Sequence, residues 1–289
     1  MPTLSVLLPV RNGGAFVLPA IRSVLYQTER DFELLVLDDG STDGTVERVR
    51  SLRDPRITVL AGDGPRGLAM RLNEGIAAAR APFIARMDAD DLCFPSRFEA
   101  QLRALTCDER LSLVSVRALL FDTPNQALGL SPWYPGDSAL IAQPWRGIAM
   151  PHPGWMGRAE WFRRFMYRVP EVRFAEDQEL LLRALPESRY RCLPDVLLAY
   201  RHSGYGWSRT ARARAALLRA QSGLFIRRGQ IAYAALAAFS AATGVSMAAL
   251  KPLTRHRLAR RPVPADVAAA LRRLVLDCAS PVPEVEPVS

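Results

Sequence analysis

Three acidic clusters are placed where they could do chemistry. Asp38-Asp39 and Asp88/Asp90/Asp91 each follow directly on a short apolar run, and Glu176-Asp177 opens a segment with helical spacing. Crowded carboxylates repel and raise one another's pKa unless a cation shares them. A divalent metal with oxygen ligands relieves that repulsion, and Mg2+ typically takes one or two carboxylates plus substrate phosphates. A simpler reading competes at each place. Asp favours turns at strand ends, which explains Asp38-Asp39-Gly40 as well as a metal does. It explains Asp88-Ala89-Asp90-Asp91 less well, because stopping a strand does not require three carboxylates. For Glu176-Asp177 the competing explanation is an acid attracted to a helix N-terminus by the macrodipole.

A fourth motif points to different chemistry. Gly62-Asp63-Gly64-Pro65-Arg66-Gly67 is a literal G-x-G-x-x-G between a strand and a helix, with Asp88 about 20 residues further on. That pattern admits an NAD-dependent oxidoreductase. Two features weigh against it. The motif lies in the third strand-helix unit rather than the first, and the neighbouring strand ends carry five carboxylates that would repel a pyrophosphate.

These residues need a scaffold, and the first 90 residues supply a regular one. Apolar runs at Leu4–Leu8, Phe32–Leu37, Ile57–Leu60 and Phe83–Met87 read as buried strands. Between them Leu18, Ile21, Val24 and Leu25, then Val46, Val49 and Leu52, then Leu68, Leu72 and Ile76 recur at helical spacing. Asp43 is the expected N-cap of the second helix. This βαβαβαβ order predicts an α/β fold with a mostly parallel sheet covered on both faces. Such sheets bind ligands beyond the carboxyl ends of their strands, where the Asp clusters fall. Further on, Pro95–Leu105 reads as a helix and Leu111–Leu120 as a strand. Residues 123–153 read as a long loop, Ala159–Phe165 and Glu176–Ala184 as helices, and Val196–Tyr200 as a last strand.

With the elements in place, three strings carry a family likeness: Leu8-Pro9-Val10-Arg11-Asn12, Val36-Leu37-Asp38-Asp39-Gly40-Ser41-Thr42-Asp43-Gly44-Thr45, and Ile84-Ala85-Arg86-Met87-Asp88-Ala89-Asp90-Asp91. Pro95-Ser96-Arg97-Phe98-Glu99-Ala100-Gln101, His152-Pro153, Glu176-Asp177 and Tyr200-Arg201 follow in the same order. Over residues 3–208 the chain resembles the family 2 glycosyltransferases of the GT-A fold. The resemblance implies a Rossmann-like, mostly parallel sheet flanked by helices and an inverting displacement on a nucleotide-sugar donor. It implies that Pro9, Val10 and Asp39 hold the nucleotide base, with Val10 standing where an aromatic is common. Asp88 becomes the ribose-side acid and Asp90 the ligand of Mg2+ or Mn2+ on the donor diphosphate. Asp177 takes the position of the general base, with Glu176 beside it. Arg71 is a candidate nucleotide or phosphate contact, and His202 a candidate further metal or diphosphate ligand. His152 and Trp155 are candidates to line the acceptor site, in a half that also holds Trp133, Trp145 and Trp161. The implied acceptor is a saccharide or a lipid-linked sugar in polysaccharide, lipopolysaccharide or other glycoconjugate synthesis.

Composition bounds the rest. The chain has 289 residues, 49% hydrophobic and 23% charged, with four widely spaced cysteines. This excludes disordered, collagen-like and disulfide-scaffold classes. Cys93 and Cys107 are expected to be buried small hydrophobes. The start of the chain carries no secretory signal pattern, so a reducing, cytoplasmic setting is expected. The net charge of +9 is local: residues 1–208 balance at 25 basic and 25 acidic, residues 209–262 hold 11 basic and no acidic, and residues 263–289 hold two basic and four acidic. The expected organisation is a catalytic domain at 1–208 (nucleotide-binding half 1–105, acceptor-binding half 106–208), a basic helical extension at 209–279 and a disordered tail at 280–289.

Residues 229–250 carry no charge, but Thr243-Gly244-Val245-Ser246 predicts a turn between two short helices rather than a membrane span. The basic helices are expected to pack on the body and to allow peripheral association with the inner face of a membrane. The neutral body and the lack of a nucleic-acid motif argue against a nucleic-acid partner. Besides the oxidoreductase, a rival of another class is a catalytically inactive sugar-nucleotide or membrane-binding module, which would bind donor without turnover.

Overall fold

The computed structural model describes residues 1–289 except 63, 123–125, 170–173, 203–206, 255–262 and 280–289; at 207–210 and 244–254 it describes the helical backbone alone. The N-terminal half alternates β1 (Leu4–Val10), α1 (Val17–Leu25), β2 (Phe32–Asp38), α2 (Thr45–Arg50), β3 (Ile57–Ala61), α3 (Leu68–Ala78) and β4 (Phe83–Arg86). After β5 (Leu92–Cys93) and α4 (Arg97–Cys107) come β6 (Leu113–Phe121), β7 (Ala127–Leu130), α5 (Asp137–Ile141), β8 (Met156–Arg158), α6 (Ala159–Arg164), α7 (Glu176–Ala184) and β9 (Tyr190–Arg201). Helices α8 (Trp207–Arg227), α9 (Ile231–Thr254) and α10 (Ala265–Ala279) complete the described chain.

The strands form one sheet in the order β3-β2-β1-β4-β8-β6-β9-β5, with β7 paired to β6. β3, β2, β1 and β4 are parallel to one another. β8 pairs antiparallel with both β4 and β6, while β6 and β9 run parallel. β1 and β2 are buried at all seven positions, which is why they read as unbroken apolar runs rather than alternations. Because β1 lies between β2 and β4, the chain leaves the carboxyl ends of these strands in diverging directions. That opening receives Pro9 and Val10, Asp38-Asp39 and Asp88–Asp91.

A fully buried arginine pins one side of the opening. Arg97 donates Nη2 to the carbonyl of Arg86 at 2.7 Å and Nε to Gln101 at 3.0 Å, and burial holds its pKa down to about 10. Gln101 in turn donates to the carbonyls of Val114 and Gly154. The Arg97–Gln101 pair thus ties the end of β4 to β6 and to the 3-10 turn at His152–Gly154.

The C-terminal helices divide between the two faces of the sheet. Leu271, Leu274 and Cys278 of α10 join the core of α1 and α4, and Arg22 donates to the carbonyls of Cys278 and Ala279. Leu224 and Phe225 of α8 and Ala237 of α9 join the opposite core with α3, α6 and α7. Several expectations are corrected. α9 runs unbroken through Thr243–Ser246, because one glycine costs only about 1 kcal/mol against alanine in an otherwise Ala-rich helix. Gly44, in the left-handed region at φ 79°, is the cap of α2, and Asp43 instead accepts from the amide of Thr45. Residues 123–153 contain β7 and α5, and the last strand begins six residues early, at Tyr190. Cys107 is exposed. The expected disordered tail lies outside the described residues.

Candidate active site

The Asp38-Asp39 pair splits into two roles. Asp38 accepts from the amides of Gly40 and Ser41, so it closes the turn after β2. Asp39 faces the glycine-rich loop. It accepts from the amides of Arg66 at 2.6 Å and Gly67 at 3.1 Å and from Arg71 Nε at 3.0 Å. Arg71 is buried, and its other nitrogens reach Glu74 and the carbonyl of Gly64, each at 2.7 Å. A Cβ at Gly62 would lie 1.7 Å from Arg71 Nη2. The oxidoreductase reading is therefore not favoured: this loop is glycine-rich to admit a guanidinium, and its amides hold Asp39 rather than a pyrophosphate. Val10 is buried behind this pair, and its carbonyl accepts from the Asp39 amide at 2.8 Å.

Beyond β4 the ligand oxygens of Asp88, Asp90 and Asp91 lie within 4.8 Å of one another. Asp91 is fully buried; its Oδ1 accepts from the Arg201 amide at 2.7 Å, and its Oδ2 has no hydrogen-bond partner among the described residues. Burial raises the pKa of Asp90 and Asp91, and the charge of Asp88 raises both further. Three hard oxygen donors, mutual repulsion and an orphaned buried oxygen fit Mg2+ or Mn2+. Arg201 braces the cluster from β9. Its Nε donates to the carbonyl of Asp90, and its guanidinium lies 4.4 Å from the ring centres of both Phe16 and Phe121. His202 is not a member of the cluster; its amide donates to the carbonyl of Phe121.

Arg86, which the sequence reading assigned no role, is central. It is buried and pairs with Asp88 at 2.6 Å, while its Nε and Nη1 have no partner among the described residues. Its charge acts on both acidic groups, pulling down the pKa values of Asp90, Asp91, Glu176 and Asp177 against the larger effect of burial. The net shift of Glu176 and Asp177 is upward. Burial and the same guanidinium keep His152 well below its ordinary pKa, hence neutral at pH 7.

His152 Nε2 meets the Tyr167 hydroxyl at 2.6 Å, and the Asn73 side-chain amide fixes Tyr167 by donating to its carbonyl and accepting from its backbone amide. Trp155 packs edge-on to His152 at 4.5 Å but is fully buried, with its indole donating to the carbonyl of Met150. It offers no stacking face to a sugar, and it supports the site through His152 and through its carbonyl, which accepts from the Arg86 amide at 2.9 Å. Only the charge inside β4 hinted at Arg86, whereas Asn73 and Tyr167 leave no sequence signal because they meet across 94 positions.

A Rossmann-like sheet with a carboxylate cluster at its switch point is the architecture of the GT-A fold, and solved structures of that fold superpose on the chain. The mannosyltransferase PcManGT of Pyrobaculum calidifontis, solved with GDP-Man and Mn2+, superposes with TM-score 0.61 at 19% identity, covering 96% of this chain and 86% of that one. TarS residues 1–349 of S. aureus, solved with UDP, gives 0.58 at 17% identity over 76% of this chain and 65% of that one. Residues 5–165 match the model of glycosyl transferase family 2, and the chain belongs to that family.

EpsE of Bacillus subtilis (strain 168), named as a glycosyltransferase, is 31% identical over 192 residues, 64% of this chain and 68% of EpsE. WfgD of Escherichia coli, a UDP-Glc:alpha-D-GlcNAc-diphosphoundecaprenol beta-1,3-glucosyltransferase, is 35% identical over 99 residues, 34% of this chain and 39% of WfgD. The aligned region thus spans well under two thirds of some relatives, 17% in a glycosyltransferase of Rickettsia conorii.

Proposed function

We propose that the chain moves a sugar, with inversion, from a nucleotide-diphosphate donor to an acceptor hydroxyl. The observation that carries this reading is the Asp88/Asp90/Asp91 cluster at the switch point, with buried Arg86 paired to Asp88 and its charge acting on Glu176 and Asp177 as well. Asp90, with Asp88 and Asp91, would hold Mg2+ or Mn2+, whose chemistry is to neutralise charge on a leaving diphosphate. Asp39 and Arg71, with Pro9 and Val10 beside them, form the nucleotide side. Asp177 is the general base. A carboxylate with a raised pKa is suited to removing a proton from an attacking hydroxyl, provided it lies within hydrogen-bond reach. Glu176 and His152 stand on the acceptor side, and a neutral His152 can orient a hydroxyl without adding charge. His202 remains a candidate diphosphate contact.

The ligands of the structural relatives, UDP and GDP-Man, support a nucleotide-sugar donor. The GlcNAc-diphosphoundecaprenol acceptor of WfgD supports a saccharide or lipid-linked acceptor, and a lipid-linked acceptor would have the chain work at a membrane. The test is hydrolysis and transfer with a panel of nucleotide-sugars, with and without Mn2+. Turnover lost without metal and in Asp90→Ala is expected. Metal-independent turnover would sink the role given to Asp90, and donor binding without any turnover would favour the inactive-module reading.

A further inference from the structure

The hairpin of α8 and α9 has one face committed and one face open. Inward, Gln221 of α8 donates to the carbonyl of Pro144, Phe225 packs against Tyr233 at 5.6 Å, and Tyr233 of α9 lies 5.2 Å from Trp145. Arg228 at the hairpin turn donates to the carbonyls of Leu182 and Arg183, which caps the C-terminal end of α7. Outward, α9 presents Ile231, Leu236 and Phe239, with Phe239 69% and Ile231 61% exposed, among exposed alanines. Ile226, at the end of α8, adds a further apolar group that is 57% exposed. Alongside them, Arg219 and Arg227 of α8 are exposed.

An apolar face of this kind needs an occupant. Charge decides which one. Residues 209–262 hold 11 basic residues and no acidic one. A second copy of the chain would set this segment against itself, basic against basic. A nucleic acid would answer the arginines and leave the apolar face in water. A bilayer containing anionic lipid supplies both a negative surface and an apolar interior. Among the described residues no helix is long and apolar enough to cross a membrane, so contact is along the surface.

We propose that the outer face of the α8–α9 hairpin is a docking surface for an anionic lipid bilayer. Ile226, Ile231, Leu236 and Phe239 enter the interface, and Arg219 and Arg227 meet lipid phosphates. This rests on the reading that the chain works at a membrane and names the surface that does so. It also orients the enzyme. α8 lies along α7, from Arg212 over the Phe174 ring to Arg228 at the far end, so docking holds α7, with Glu176 and Asp177 at its start, on the side of the hairpin away from the leaflet.

The experiment is co-sedimentation of the full chain with phosphatidylcholine vesicles, with and without phosphatidylglycerol. Binding to the mixed vesicles alone, weakened by added salt, is expected. Each arginine near the surface accounts for about a fivefold change in partition, so Arg219→Gln/Arg227→Gln should bind about 25-fold more weakly. Phe239→Ser should lose about tenfold or more. All three positions are exposed, so thermal melting should be unchanged. If the wild type ignores anionic vesicles, the membrane reading itself fails. If it binds and the variants bind equally, this surface is the wrong one. Concentration-dependent dimers that Phe239→Ser abolishes would assign the face to a second copy and overturn the proposal.

Discussion

Gly62→Ala is the sharpest probe of the nucleotide side. The added Cβ would fall 1.7 Å from Arg71 Nη2 and 2.0 Å from its Cζ, so the guanidinium must leave its seat. Arg71 would then lose its bonds to Asp39, Glu74 and the Gly64 carbonyl. A hydrogen bond to a charged group contributes about 1.5–3 kcal/mol. The Glu74 bond counts for less, because that side chain is 34% exposed. Asp39 keeps the amides of Arg66 and Gly67, so it is not orphaned. Replacing glycine returns about 0.4–1 kcal/mol through the unfolded chain. The net loss is about 2–6 kcal/mol, or roughly 4–24 °C in Tm for a chain of this size. Calorimetry of Gly62→Ala, Arg71→Ala and the double variant separates this account from general loop damage. If Gly62 exists to admit Arg71, alanine at 62 should cost almost nothing once Arg71 is gone. Additive losses would refute the argument.

Asp177→Asn should lower kcat by about 10²–10⁴-fold, measured as sugar transfer at saturating donor. Because burial raises the pKa of Asp177, the rate should climb with pH through a value above the ordinary carboxylate range, and that limb should vanish in Asp177→Asn. The stability sign runs the opposite way. A raised folded pKa contributes stability that is complete below the unfolded pKa and is lost as pH rises through the folded one. Asp177→Asn should therefore melt higher than wild type at neutral pH, with the gap closing in acid. Mn2+ at about 100 times its Kd should stabilise the wild type by about 2.7 kcal/mol in a thermal-shift assay, and Asp90→Ala should abolish the shift. Nucleoside diphosphates should add a further shift only when metal is present, whereas a nucleoside without phosphate should not depend on it.

The parallel half of the fold was legible because β1 and β2 are buried on both faces and therefore stand out as unbroken apolar runs. The acidic clusters were legible for a related reason: the switch point of such a sheet brings strand ends together, so sequence position implies proximity. Two kinds of feature were not legible. Contacts between distant residues, such as Asn73 with Tyr167 and His152 with Tyr167, follow no local period. The burial of Arg71, Arg86 and Arg97 was not legible either, because nothing local in the sequence names the partners that hold them. Arg71 is instructive here. Its seat is written in the sequence as Gly62, but a glycine in a G-x-G-x-x-G string is equally compatible with a phosphate loop, and only the position of the guanidinium separates the two. α9 failed for an energetic reason, since a single Thr-Gly pair is too weak to break a helix that alanines on both sides favour.

The charge balance of the site explains why its parts must act together. Asp88 pairs with Arg86, and the guanidinium's charge also lowers the pKa values of Asp90, Asp91, Glu176 and Asp177, with Arg201 bracing the metal-side cluster. Burial already pushes four of these five carboxylates toward protonation. A diphosphate entering this field alone would add charge of the same sign, which like-charge repulsion in a poorly solvated site opposes strongly. A divalent cation on the Asp88/Asp90/Asp91 side inverts the local field and makes the same position attractive to phosphate. It also lessens the demand those three aspartates make on Arg86, leaving more of the guanidinium's field for Glu176 and Asp177. On the proposed reading, metal, donor and base are coupled through one buried arginine. A change at Arg86 should therefore disturb metal binding and the pH profile together, whereas a change at Asp39 or Arg71 should disturb nucleotide affinity and leave the pH profile in place.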